Sequence, residues 1–123
     1  MSTREIPRDE WDSFFDSFSL RHQGWLVTVE VLGADSGAQV EAKQMPLDGI
    51  SAELKRRGED IISIFIGRKP QEHLTHTIHA PERVWLKETE YGADEVLEIE
   101  SESLTTLMRF RSAMLPEMVD GIL

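Results

Sequence analysis

Along the first twenty or so residues the apolar positions recur at helical spacing. Trp11, Phe14, Phe15 and Phe18 fall at i, i+3, i+4 and i+7, which is one face of a helix. Ahead of them, Ile6-Pro7-Arg8-Asp9-Glu10 reads as a helix start, since proline is tolerated in a first turn and acids favour the positive end of the dipole. Arg21 and His22 suit the negative end, and Gly24 can adopt the left-handed conformation that stops a helix. The pattern predicts a helix over residues 7–22 with a buried aromatic stripe.

After Gly24 the period drops to two. Trp25, Val27, Val29 and Val31 alternate with Leu26, Thr28, Glu30 and Leu32, a strand with a strong inner face. Gly33-Ala34-Asp35-Ser36-Gly37 is a tight connection into the alternating residues 38–43, so the two runs make a hairpin. Met45-Pro46-Leu47-Asp48-Gly49 breaks that ladder. Residues 50–55 fit two readings, a short helix capped by Ser51 or a strand in which Ile50, Ala52 and Leu54 alternate with Ser51, Glu53 and Lys55. The strand is favoured, with Arg56-Arg57-Gly58-Glu59 as its turn.

Ile61 to Ile66 is apolar on both faces, which predicts a central strand covered on both sides, with the N-terminal helix as one cover. Residues 73–79 form another strand, residues 83–90 and 95–101 a second hairpin, and residues 104–111 the last strand. Pairing that hairpin with Tyr91 opposite Asp94 sets Leu86 against Ile99 and Lys87 against Glu98. It gathers Val84, Leu86, Leu97 and Ile99 on one face. The expected architecture is α+β: an N-terminal amphipathic helix packed on a curved, mostly antiparallel sheet or partial barrel of about six to eight strands. The antiparallel region covers residues 25–111 of a single domain spanning 1–123, with a short apolar tail over 114–123.

Charge narrows the function classes. Thirteen Lys and Arg against 23 Asp and Glu leave a formal net charge of −10, which repels phosphate backbones, so no nucleic-acid partner is expected. No apolar run approaches the roughly 18 residues of a membrane span, and no membrane partner is expected either. The chain has no cysteine, which excludes disulfides and thiolate chemistry. With no apolar signal-peptide core in Met1 to Pro7, the expectation is a cytoplasmic protein.

Three of the four histidines lie in the stretch His73-Leu74-Thr75-His76-Thr77-Ile78-His79. A strand sends alternate side chains to opposite faces, so His73 and His79 share one face and His76 takes the other with Leu74 and Ile78. His73 and His79 are roughly 20 Å apart at strand rise, too far to ligate one metal. His76, with apolar neighbours on its face, is the histidine singled out as a site candidate. Ser63 is the one polar residue in the Ile61 to Ile66 run and the candidate partner of His76. A serine beside a histidine also suggests a nucleophile and base, but no Gly-x-Ser-x-Gly turn or orienting acid accompanies them. Glu98, Glu100 and Glu102 read as a solvated strand face, since carboxylates spaced along a strand do not converge on calcium. There is no phosphate loop, dinucleotide fingerprint or H-E-x-x-H helix, so no metal and no cofactor is expected.

Four short motifs, Ile6-Pro7-x-x-x-Trp11, Gly24-Trp25-Leu26-Val27, Leu47-x-Gly49-Ile50-Ser51 and Pro81-x-x-Val84, resemble those of a family of small uncharacterised bacterial proteins, classed as a domain of unknown function. The resemblance implies a bacterial, single-domain protein and carries no reaction or site. One departure is the turn after Gly49-Ile50, acidic in the family and basic here as Lys55-Arg56-Arg57.

Two functions fit these features. The favoured one is a non-enzymatic accessory or protein-interaction domain, working through a strand edge or the apolar tail on a protein partner or as a homodimer. The alternative is a small-molecule site or small enzyme in the mouth of the curved sheet near His76, with Ser63 and His73 as further candidates.

Overall fold

The computed structural model describes residues 2–33, 37–67, 72–88 and 94–111. They form strand β1 (Ser2–Ile6), a 3-10 turn (Arg8–Glu10), helix α1 (Trp11–His22), and strands β2 (Leu26–Gly33), β3 (Gly37–Glu53), β4 (Ile61–Ile66), β5 (Leu74–His79), β6 (Pro81–Glu88), β7 (Asp94–Ser101) and β8 (Leu104–Arg111). All eight strands join one antiparallel sheet in the order β1-β6-β7-β8-β2-β3-β4-β5. The sheet is not closed into a barrel, so β1 and β5 are its two ends. This is the α+β fold the pattern predicts.

The aromatic stripe is buried as its spacing requires. Trp11, Phe15 and Phe18 are at most 1% exposed, and Phe14 packs against the same core from a partly buried position. The Trp11 indole N–H donates to Ile6 O at 2.8 Å, tying the helix start to the end of β1. β1 itself has no counterpart in the hydrophobic pattern. Its residues Ser2 to Glu5 are exposed and lack an apolar period, and it exists because β6 offers it a backbone ladder from Ser2↔Glu88 to Ile6↔Val84.

The expected break at Met45 to Gly49 is a bend inside one strand of 17 residues. Gln44 takes φ 48° there, and bulges interrupt the β2–β3 register between Val27 and Glu30. β3 changes partner at the bend: its first part pairs with β2 as far as Pro46, and its second part pairs with β4 from Leu47. Residues 50–53 are strand rather than helix, and the strand ends at Glu53.

Where β2 no longer reaches, α1 takes its place along β3. Gly24 N donates to Leu47 O and Leu47 N to Trp25 O, both at 2.8 Å. One turn further into the helix, Ser19 Oγ accepts from Ile50 N at 2.8 Å and donates to Ile50 O at 3.0 Å. Two other sequence expectations need correction. β4 is not central but next to the edge, between β3 and β5, and only its Ile62, Ile64 and Ile66 face is fully buried. The second hairpin pairs Leu86 with Leu97 and Lys87 with Val96, two residues from the expected register, with a bulge between Lys87 and Glu88. A slip of two keeps every side chain on its face, so Val84, Leu86, Leu97 and Ile99 still line the core. The 34–36 turn, Tyr91 and the 114–123 tail lie outside the described residues.

Candidate functional site

Cross-strand register decides what the histidine stretch can do. Ile64 pairs with both Ile50 and His76, and Ser63 with both Ser51 and Thr77. His76 therefore points to the inner face in a row with Ile50 and Ile64, while Ser63 lies in an outer row between Ser51 and Thr77. The expected Ser63–His76 pair does not form, because the two side chains leave the sheet on opposite faces.

The partner that His76 does find is Thr106 of β8, whose Oγ1 lies 3.5 Å from His76 Nε2. β8 is separated from β5 by three strands in the sheet order, so this contact reports that the sheet curls its two halves toward each other. Thr106 is only 2% exposed, and His76 is half-buried. Burial pushes the His76 pKa below its ordinary value, with a weaker opposing pull from the Glu41 carboxylate. Around this pair lies a cleft of about 290 Å³ between β5 and the β7–β8 turn, with Glu59, His79, Ser101, Glu102 and Ser103 among its walls.

The other two histidines of the stretch go elsewhere. His79 Nδ1 is 3.1 Å from a Glu59 carboxylate oxygen at the rim of that cleft. His73 precedes β5, and its Nε2 is 3.9 Å from Asp48 Oδ2 on β3. Among the described residues, no three histidines or carboxylates converge as metal ligands. The acidic face is less solvated than its sequence suggests: Glu98 and Glu100 are half-buried, and burial, then the neighbouring Glu100, raises the Glu98 pKa against the pull of Lys87. Lys87 Nζ sits 3.7 Å from Glu98, a cross-strand diagonal rather than the direct pair expected.

A larger depression runs beside α1. It is an open groove of about 550 Å³ bounded by Asp16, Ser19 and Leu20 of the helix and by Asp48, Ile50 and Phe65 of the sheet. Leu20 is 79% exposed, the most exposed large apolar side chain described. None of these groove residues stands out in the sequence as functional, because the groove exists only where α1 replaces β2 beside β3.

His22 also has a role that the sequence pattern does not announce. It is 3% exposed, its ring is stacked on Phe18 at 4.0 Å between centroids, and its Nδ1 donates to Phe18 O at 2.9 Å. Its position four residues after Phe18 extends the helical stripe, and that spacing is the signal that could have found it. No described helix is long and apolar enough to cross a membrane.

Comparison with known proteins adds the lineage. A family model described as a family of unknown function, DUF5335, matches residues 2–118. An uncharacterized protein of Aquifex aeolicus (strain VF5) is 29% identical over 118 residues, covering 95% of this chain and all of that protein. No solved structure matches the chain. Since the match runs from β1 through β8, the chain belongs to the DUF5335 family.

Proposed function

We propose that this chain is a non-enzymatic protein-interaction domain, and that its working surface is the groove between α1 and the β3–β4 face. The observation that carries the reading is Leu20, exposed beside Ile50 and Phe65 and flanked by Asp16 and Asp48. A lone exposed leucine is ordinary on a soluble protein, but one set at the edge of a groove that Phe65 also lines, between two acids, is a shaped surface with a charge preference. It fits a segment of another protein that presents an apolar anchor flanked by Lys or Arg. Charge disfavours the alternatives. The chain's own 114–123 tail carries only Glu117 and Asp120 as charged residues, and a second copy brings a net charge of −10. The separation of Ser63 from His76 supports a role without a nucleophile–base pair.

Panning a random-peptide display library on the full chain tests this. Enriched peptides should carry basic residues around an apolar anchor, and Leu20→Glu or the double change Asp16→Lys with Asp48→Lys should weaken them about tenfold or more. Peptides without that pattern, or binding indifferent to these changes, would count against the groove. Sedimentation of the same proteins provides a further check. A dimer that Leu20→Glu dissolves would make a second copy the occupant instead.

A further inference from the structure

We propose that the cleft holding His76 and Thr106 is a second binding site, independent of the groove, for a small protonated amine. Its volume of about 290 Å³ is at the low end of small-ligand pockets, so the ligand is a compact one. The most buried polar residue lining it is Thr106, only 2% exposed, and the His76 ring beside its hydroxyl is half-buried. At 3.5 Å their contact is at the long limit of a hydrogen bond, so a better donor can displace it and take the Thr106 oxygen and, in the tautomer protonated at Nδ1, the His76 Nε2 lone pair.

The charge of the cleft selects the donor. Glu59 and Glu102 stand in its walls, and Glu41 is close enough to act on His76. Glu59 already has His79 at 3.1 Å, whereas Glu102 has no cation within ion-pair distance among the described residues. An anionic ligand would be repelled there. A metal ion is also disfavoured, since no three ligating side chains converge among the described residues. An ammonium group suits the site because it offers three N–H donors and no acceptor, which a neutral imidazole, a hydroxyl and a carboxylate can receive. Burial serves this arrangement, because it lowers the His76 pKa and so favours the uncharged ring, which accepts instead of competing as a cation.

The test is histidine-ring NMR of the full chain titrated with ethanolamine and butane-1,4-diamine, with glycerol and acetate as neutral and anionic controls. The expected result is a saturable shift of the His76 ring resonances with at least one amine and none with either control. Glu102→Gln, on an exposed turn, should weaken that binding about tenfold, the loss of one charge-assisted contact. Thr106→Val should abolish it while the spectrum stays dispersed; if that variant does not fold, the Glu102→Gln titration decides alone. No His76 shift with either amine, an equal response to glycerol, or an unchanged affinity in Glu102→Gln would overturn the proposal. Leu20→Glu should leave the amine titration unaltered, so failure of the groove and failure of the cleft are separable outcomes.

Discussion

The Ser19 hydroxyl and the backbone of Ile50 form a closed exchange: Oγ accepts from Ile50 N at 2.8 Å and donates to Ile50 O at 3.0 Å. Ile50 uses neither group toward β4, because its pairing with Ile64 turns them to the other side of β3. A single helical side chain thus satisfies a donor and an acceptor that a neighbouring strand would otherwise serve.

Ser19→Ala removes both bonds at once and leaves two part-buried backbone groups to water. The expected cost is roughly 1–2 kcal/mol, the lower range because solvent can reach part of the site. Urea unfolding should show a lower midpoint with an unchanged slope. An unshifted midpoint would mean that the helix is held to β3 by aromatic packing alone.

Gly67, where β4 ends, takes φ 129°, and a Cβ added there would lie 2.6 Å from Glu72 O and 2.9 Å from His73 Cα. Its N–H donates to Pro46 O at 3.0 Å, so the backbone cannot rotate away without breaking the link to the β3 bend. Gly67→Ala should therefore destabilise by roughly 2–4 kcal/mol, far beyond a usual Gly to Ala change. Thermal unfolding of the variant is the check.

Asp60 joins the turn after β3 to the N-terminal 3-10 turn. Arg8 holds its carboxylate with Nε at 2.6 Å and Nη2 at 2.9 Å, and the Lys55 amide adds a third bond at 2.9 Å. The Arg8 bonds first, then the Lys55 amide, lower the Asp60 pKa to about 2 from 3.8. A depressed carboxylate stabilises the fold fully above its unfolded value and loses that contribution as pH falls through the folded value. Asp60→Asn should cost about 1 kcal/mol at neutral pH, after discounting for solvent screening. The gap between variant and parent should close between pH 4 and 2 in urea unfolding.

His76 acts in the same direction at higher pH. Its folded pKa is depressed by burial, so below the ordinary value of 6.5 the unfolded chain takes up the proton more readily. Stability should fall as pH drops under that value and level off once the folded ring is also protonated. Ring titration by NMR should give a midpoint below 6.5. A midpoint above 7 would mean that a carboxylate, Glu41 foremost, outweighs burial.

Period alone was enough for the elements whose faces differ in polarity. The stripe of Trp11, Phe15 and Phe18 had to be buried, and the inner faces Val27–Val29, Val84–Leu86 and Leu97–Ile99 could be read from alternation. Removing apolar area from water is the main force driving folding, and each such face is written every second or every third to fourth residue. The same alternation separated His76 from His73 and His79. Pairing is another matter. Whether Ser63 meets His76 depends on the parity of the β4–β5 register, and the loop between them carries no periodic signal to set it. β1 has no apolar face to announce it, since an edge strand is held by its neighbour's backbone rather than by its own side chains. The bend that turns β3 from β2 to β4, and the helix that fills the vacated side through Ser19, are decided by the closure of backbone hydrogen bonds between distant segments. The groove at Leu20 and the cleft at Thr106 are consequences of that closure, so their residues looked in sequence like ordinary surface and strand positions.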